Sequence, residues 1–258
     1  MASASQEIVP LQKYSVMQID PVELQEALAD NLGGEQIREF DLPTVKIPSG
    51  GQTSWSVPSV SGEKIVKTIE GVIIAHKWTR GYWADSLDDT GGGQPPDCSA
   101  PDARTGTGFP FRKPGEVIAP DAEPVTMACE ECPNSQFGSA RSGRGQACQH
   151  RKLIMLLPPT GLLPLIVNLA PTSGQPARDF FLGLSGEEPP VSYRRAHVKI
   201  GLEKVQGQGV PDYAKATFEL VDTIDDEVLE RINAIGDVFR TAFATARVVN
   251  AEGDVKAV

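Results

Sequence analysis

Residues 64–83 read KIVKTIEGVIIAHKWTRGYW, and this stretch decides the fold class. Isoleucine, valine and aromatic residues dominate it and partly alternate with polar residues, which is typical of a β-strand. We expect one long strand that bends at Gly71, because a glycine inside a strand allows a bend, and a turn near Arg80 and Gly81. The protein is therefore predicted to be mainly β.

Further elements are predicted downstream and upstream of this stretch. Hydrophobic runs predict strands, the first two as a hairpin, over 152–157, 162–169, 193–205 and 213–221. Helical spacing and capping residues predict helices over 20–32, over 172–186 and from about 222. We expect an α+β protein built on an OB-like five-stranded Greek-key barrel, the oligonucleotide/oligosaccharide-binding type, with flanking helices. A β-sandwich with added helices fits the pattern nearly as well.

Shifts in composition divide the chain into three parts. Residues 1–59 contain a helix and a Pro/Gly-rich connector that we expect to pack on the core. Residues 60–221 contain the barrel, which an irregular insertion interrupts at about 85–150, and residues 222–258 contain an amphipathic helix and a tail. A loop as long as the insertion needs something to order it inside a compact domain.

The insertion contains all four cysteines of the chain, Cys98, Cys129, Cys132 and Cys148. Two residues separate Cys129 from Cys132, a spacing that lets both thiolates bind one tetrahedral zinc ion. We therefore predict a zinc knuckle with these four ligands, and a closed four-thiolate site is structural because it leaves no position for catalysis. Disulfides, buried free thiols and a thioredoxin-like pair at 129–132 are the alternatives.

Basic and aromatic side chains follow each other closely along the predicted strands. Proteins that bind single-stranded nucleic acid combine cations that meet the phosphates with rings on which the bases stack. We predict nucleic-acid contacts at Lys77, Trp78, Arg80, Tyr82, Arg151, Arg194, Arg195, Lys199, Tyr213 and Lys215. For any one of these residues, the alternative is an outward polar face with one or two aromatic rings in the core.

The net charge of −10, from 34 acidic and 24 basic residues, at first disfavours nucleic acid as a partner. Most of the negative excess, however, lies in residues 1–59 and 221–258, and the centre of the chain is close to neutral. The total charge is therefore compatible with binding at a locally basic surface. We expect such binding to be modest and to weaken with salt.

No residue pattern nominates an enzyme active site. The three histidines are separate in sequence, and the chain has neither a P-loop nor a Gly-x-Ser-x-Gly elbow. Asp85, Asp88 and Asp89 could bind magnesium in a nuclease, but a solvated loop explains them better. We predict that the protein is not an enzyme.

Several of these residues carry a resemblance to known proteins. The run Cys129-x2-Cys132-Pro133-x3-Phe137-Gly138-Ser139 is followed by Gly145-Gln146-Ala147-Cys148, Leu163-Pro164-Leu165, Pro171-Thr172-Ser173 and Gly201-Leu202-Glu203-Lys204. This pattern, over roughly 60–220, resembles a family of phage and mobile-element proteins encoded among replication genes. More distantly, a barrel with a zinc knuckle is similar to the single-stranded DNA-binding proteins of T-even phages, whose metal site combines one histidine with cysteines.

The resemblance implies a non-enzymatic protein that binds single-stranded DNA in phage or mobile-element DNA replication or recombination. Its place would be the cytoplasm of a bacterial host, with replication or recombination proteins as further partners and with room for an oligomer. We expect no membrane association, because no secretory signal and no apolar run of about 18 residues occurs. The alternative is a zinc-stabilised adaptor or effector subunit that docks on a replication or nuclease complex through its acidic flanks and its 225–246 helix.

Overall fold

The structure is a computed structural model that describes residues 14–38, 41–85, 94–141, 145–206 and 212–246. Its α-helices are α1 (Pro21–Asn31), α2 (Gly174–Gly186) and α3 (Asp226–Thr245). Its strands are β1 (Thr44–Lys46), β2 (Trp55–Ser59), β3 (Gly62–Val66), β4 (Ile69–Tyr82), β5 (Cys98–Ala100), β6 (Thr105–Gly108), β7 (Val125–Ala128), β8 (Cys148–Leu157), β9 (Leu165–Leu169), β10 (Ala196–Val205) and β11 (Tyr213–Thr223).

Nine of the strands in the described ranges form one open, mixed sheet, and seven of these nine follow one another in the order β1-β9-β8-β4-β5-β6-β7. The β10–β11 hairpin joins this sheet at the first residues of β4, where Ile200 pairs with Ile69. Strands β1 and β9 are parallel, and the other pairs are antiparallel. Strands β2 and β3 form a separate hairpin.

Strand β4 organises the sheet because three elements pair with it. Strand β8 runs along 72–82 of β4, while β10 takes residues 69–72 and β5 takes residues 80–82. The close approach of the chains requires Gly71, since a Cβ built there would lie 2.3 Å from the carbonyl oxygen of Leu157. The pairing of β4 with β8 also slips between Ile73 and Ala75.

The prediction of a mainly β, α+β protein is confirmed. The strand predicted over 64–83 divides into β3, which turns back on β2, and β4. Where the sequence led us to expect a five-stranded barrel, the described residues form an open sheet. In the described part of 85–150, which was predicted to be irregular, β5, β6 and β7 extend this sheet from the end of β4, and β8 begins at Cys148.

Two hydrophobic clusters cover the two faces of the sheet. On one face, Leu153 and Met155 pack with α1 and with Ile232 and Phe239 of α3. On the other face, Ile154 and Leu156 pack with Trp55 and with the buried residues of α2. The indole Nε1 of Trp55 donates a hydrogen bond of 3.2 Å to the carbonyl of Ile200, which ties the β2–β3 hairpin to the sheet.

The terminal helices begin at acidic N-caps, as the sequence predicts for the first of them. Asp20 caps α1 together with Glu23 in a capping box, and Pro21 occupies the first turn. Asp225 caps α3, three residues after the predicted start near 222, and accepts from the amide of Val228. Within the described ranges, no helix is both long enough and apolar enough to cross a membrane.

Candidate functional site

The four cysteines meet at one end of the sheet. Cys98 and Cys148 both pair with Tyr82 at the end of β4, from its two sides, while Cys129 and Cys132 follow β7. All four are buried free thiols, and they line one cavity of about 10 Å³. The structure therefore brings together the four residues that the sequence assigned to one site. We call residues 94–141 and 145–148 the cysteine lobe.

Tight local hydrogen bonding shapes the turn that carries Cys129 and Cys132. The amide of Cys132 donates to the carbonyl of Cys129 at 3.2 Å, and the Ser135 hydroxyl donates to the carbonyls of both cysteines. Gly106 leaves space for the sulfurs, because a Cβ at this position would lie 3.1 Å from the Sγ of Cys98 and 3.5 Å from that of Cys129. The backbone thus cradles the thiols.

The surroundings of Cys98 and Cys148 make the thiolate form of these two residues unfavourable in the absence of a cation. Burial, followed by the neighbouring thiols, raises the pKa of Cys98 to about 11. Burial is also the main cause that raises the pKa of Cys148 to about 12. No three His, Cys, Asp or Glu side chains in the described ranges form a ready-made metal group, so the thiols share a cavity without the ligand arrangement of a bound ion. Their number, burial and softness fit zinc.

A row of basic and aromatic side chains leads away from the cysteine cavity along one face of the sheet. Cross-strand neighbours share a face, and β4 pairs with β8 as Trp78 with Lys152 and as Arg80 with His150. Ring contacts extend the row to α2 and to the segment before β10. We name it the basic–aromatic strip, composed of His76, Trp78, Arg80, His150, Lys152, Phe181 and Tyr193.

The rings of the strip contact one another and are partly open to solvent. The centroids of His76 and Phe181 are 4.1 Å apart, and those of His76 and Tyr193 are 4.5 Å apart. Trp78 lies 4.5 Å from His150, between centroids. Each of these five rings is half-buried, so ring surface remains for a ligand.

Lys152 lies at the centre of the strip and is only 4% exposed. Its Nζ is 5.0 Å from the ring centroid of Trp78 and 4.9 Å from that of Phe181. Burial lowers the pKa of Lys152 to about 8. Burial, and then the charge of Lys152, lowers the pKa of His76 to about 4. No described carboxylate pairs with Lys152, so an anion at the strip would relieve an uncompensated positive charge.

Of the predicted nucleic-acid contacts, Trp78 and Arg80 belong to the strip, and Tyr82 continues it into the cysteine cavity. Lys77 and Arg151 are on the opposite face. The Nζ of Lys77 donates to the carbonyl of Ala244 at the end of α3, and Arg151 is 2% exposed. The sequence pattern therefore mixed residues from both faces of the sheet.

The remaining predicted contacts lie outside the strip, and several of them are paired with carboxylates. Arg195 forms an ion pair with Asp226. On the outer face of the β10–β11 hairpin, the Nζ of Lys199 lies 3.6 Å from Glu219 and that of Lys215 lies 3.7 Å from Glu203. Tyr213 is half-buried at the start of β11. The guanidinium of Arg194 is exposed and lies 5.8 Å from the centroid of Tyr193, beside the strip.

The acidic cluster that we considered for magnesium is only partly described. Asp85 bonds to Arg112 and accepts from the amide of Gly115 at 2.7 Å. The Gly115 amide, followed by Arg112, holds the pKa of the Asp85 carboxyl below its usual range. Asp88 and Asp89 lie outside the described residues. Asp85 therefore holds Arg112 and Gly115 of the cysteine lobe in place.

A larger cavity, of about 480 Å³, opens on the cysteine lobe. Trp83 and Phe109 contribute rings to its wall, and Ser99 and Thr107 contribute hydroxyls. Its charged residues satisfy one another, since Arg112 bonds both Asp85 and Asp97. This cavity therefore lacks the uncompensated charge that distinguishes the strip.

The predicted contacts did not include five residues that share one surface with Trp78 and Arg80, namely His76, His150, Lys152, Phe181 and Tyr193. The alternation of residues 76, 78 and 80 on a strand places His76 with Trp78 and is visible in the sequence. The contribution of Phe181 is not, because it depends on how α2 packs across the sheet.

No family model, curated protein or solved structure matches this chain. The resemblance to phage and mobile-element proteins therefore stays a prediction.

Proposed function

We propose that the protein is a non-enzymatic single-stranded DNA-binding protein, and that a structural zinc ion orders its cysteine lobe. The observation that carries this proposal is the basic–aromatic strip. Its buried Lys152 has no described carboxylate partner, and half-buried rings surround it. Such a surface suits a ligand that offers negative charge and flat rings together, and single-stranded nucleic acid does so at every nucleotide.

Each part of the strip has a distinct task in this proposal. Lys152 and the neighbouring Arg194 attract phosphates, while Trp78 and Tyr193 provide faces on which bases stack. A stacked base contributes about 1–3 kcal/mol and requires no particular sequence. One face of an open sheet can bind single-stranded DNA, so the proposal does not require the sheet to close into a barrel. The relationship to oligonucleotide-binding barrels stays a hypothesis.

Zinc would be held by Cys98, Cys129, Cys132 and Cys148. A tetrahedral zinc–thiolate centre links distant chain segments and contributes folding free energy to small lobes that bury little apolar surface. The four thiols come from β5, β8 and the turn after β7, so one ion would fasten all three to the end of β4. The zinc would therefore fix the end of the strip that Arg80 and Tyr82 occupy.

Fluorescence anisotropy with labelled oligo(dT) tests the DNA proposal. We expect affinity in the micromolar range or tighter, falling about tenfold between 50 and 200 mM salt for two or three phosphate contacts. Trp78→Leu should weaken binding about tenfold, because it removes a stacking ring. Tyr213→Leu is the matched control, since Tyr213 is also half-buried but lies outside the strip. Absence of salt-sensitive binding at micromolar protein would refute the proposal.

One observation favours the adaptor as a second candidate. The cysteine lobe exposes apolar side chains, among them Phe137 at 83% and Val117 at 90% exposure. The α3 helix offers less for docking than the sequence suggested, because its apolar residues Ile232, Ile235 and Phe239 are buried in the core. If oligo(dT) does not bind while a replication protein co-purifies with the wild type and not with Phe137→Ser, the adaptor is the better description.

A further inference from the structure

Arg80 occupies the boundary between the strip and the cysteine cavity. On β4 it pairs across the sheet with His150 on one side and with Ala100 on the other, and its side chain lines the cavity with the four thiols. Its Nε and Nη1 atoms are buried, and neither has a hydrogen-bond partner among the residues that the structure describes. Two charged N–H groups are therefore removed from water without compensation.

Such an arrangement is costly. A buried donor without a partner costs about 1–3 kcal/mol, and a charged donor costs more. Cys98, Cys129, Cys132 and Cys148 line the same cavity as Arg80. Thiolate sulfur accepts hydrogen bonds from a guanidinium far better than a neutral thiol does, because the bond is then charge-assisted at both ends. The missing acceptors are thus available in the cavity once the thiols lose their protons.

Electrostatics points to the same partners. Four thiolates around one divalent ion leave a net charge of about −2 in a buried site. A guanidinium at the edge of this site would offset part of that charge.

We infer that Arg80 belongs to the metal centre, where its Nε–H and Nη1–H donate to cysteine thiolates and compensate their charge. This inference rests on the zinc site of the proposed function and adds a residue to it. It also reassigns Arg80, which the sequence suggested as a nucleic-acid contact. Arg80 is a positioning residue, because it acts on the ion through the sulfurs and not directly.

Cobalt titration of the full-length protein tests this assignment. Co²⁺ in a four-thiolate site gives intense near-ultraviolet and visible absorption, which reports both affinity and the electronic state of the sulfurs. We expect Arg80→Gln to bind Co²⁺ and Zn²⁺ about 10–100-fold more weakly than the wild type, the usual loss when a residue that hydrogen-bonds a ligand is removed. Its charge-transfer band should also shift, because the thiolates lose their donors.

Two matched variants make the experiment decisive. Arg104→Gln removes an exposed arginine from the same lobe. Arg104 contacts Cys129 through its backbone carbonyl, which the substitution retains, so this variant should bind metal as the wild type does. Arg80→Lys retains the charge but not the two N–H groups, so its affinity should be intermediate. Circular dichroism confirms that each variant is folded, and the lysine variant keeps the test valid if Arg80→Gln does not fold.

The salt dependence of oligo(dT) binding provides an independent readout. If Arg80 serves the metal centre, the slope of log affinity against log salt is unchanged in Arg80→Lys and in folded Arg80→Gln. Loss of about one unit of slope in Arg80→Gln, or wild-type cobalt affinity in both variants, would overturn the inference. A wild-type protein that binds no cobalt would instead refute the zinc site and this inference with it, while the DNA measurements would stand.

Discussion

Lys152 Nζ lies 2.6 Å from His76 Nδ1, which makes this lysine–histidine contact the centre of the basic–aromatic strip. The ammonium of Lys152 donates to a neutral imidazole, since a protonated His76 would have no lone pair at Nδ1. Burial lowers the pKa of the lysine to about 8 and, with the lysine's charge, lowers that of the histidine to about 4. Near neutral pH the pair therefore carries one positive charge, at Lys152.

The first prediction concerns the pH dependence of DNA binding. Because the pKa of Lys152 is about 8, the lysine loses its charge as the pH rises from 7 to 9, and its attraction for phosphate is lost with it. We expect wild-type affinity for oligo(dT) to fall severalfold over this interval, measured by anisotropy at constant ionic strength. Lys152→Arg should show a flat profile, because arginine stays charged. Parallel profiles for the two proteins would contradict the role of Lys152.

The second prediction separates the two faces of β4. Lys77 donates to the Ala244 carbonyl at 2.7 Å and lies 5.4 Å from the Phe243 ring centroid, so it stabilises the end of α3. Lys77→Met should lower the free energy of unfolding by about 1 kcal/mol in urea denaturation. Its oligo(dT) affinity should stay within twofold of the wild type. A tenfold loss of affinity in a folded Lys77→Met protein would show that the opposite face also binds.

The third prediction tests the close approach at the centre of the sheet. A methyl group at Gly71 would meet the Leu157 carbonyl oxygen at 2.3 Å, so Gly71→Ala forces β4 and β8 apart. We expect a loss of about 3 kcal/mol in the free energy of unfolding. Gly183→Ala, in α2 where an added methyl group meets nothing within 4 Å, should instead stabilise the protein by up to about 1 kcal/mol. Equal effects of the two changes would contradict the pairing of β4 with β8.

The fourth prediction concerns the metal. Protein purified without chelator should contain one zinc per chain, and a strong chelator should lower Tm by at least about 10 °C. Cys132→Ser should contain little zinc, and the chelator should not lower its Tm further. A zinc content well below one ion per wild-type chain, together with a Tm that the chelator does not change, would identify the cysteines as buried free thiols.

Local sequence signals predicted β4, β8 to β11 and the helices α1 to α3, but not the short strands β1, β2, β5, β6 and β7 or how the elements associate. The capping box at Asp20 can be read from a few neighbouring residues and agrees with the structure. The strand predicted over 64–83 instead divides into β3 and β4, and β4 continues through Gly81, where a turn was predicted, to Tyr82. Strand β4 shares its two edges among β5, β8 and β10, and such pairings between distant segments leave no local pattern in the sequence. The sequence therefore predicted a barrel, with a β-sandwich as the alternative, where the described residues form an open sheet.

In the candidate site, too, local spacing could be read from the sequence, whereas contacts between distant segments could not. Cys129 and Cys132 signal a shared site through their spacing alone, and the four thiols do line one cavity. The basic residues could not be sorted by sequence, because strand register decides that Lys199 faces Glu219 and that Lys215 faces Glu203. Lys152 was not among the predicted contacts, because the rings that surround it come from β4 and α2, which are distant in the sequence.

Photochemical cross-linking tests the central claim most directly. Oligo(dT) that carries 5-iodo-deoxyuridine forms covalent bonds with aromatic side chains that stack on the modified base, and mass spectrometry of the digested complex locates them. The proposed function predicts cross-links at Trp78, Tyr193 or His76, whose half-buried rings leave surface for a base. Cross-links confined to residues outside the strip, such as Tyr213 or Phe137, would contradict it, as would the absence of any cross-link.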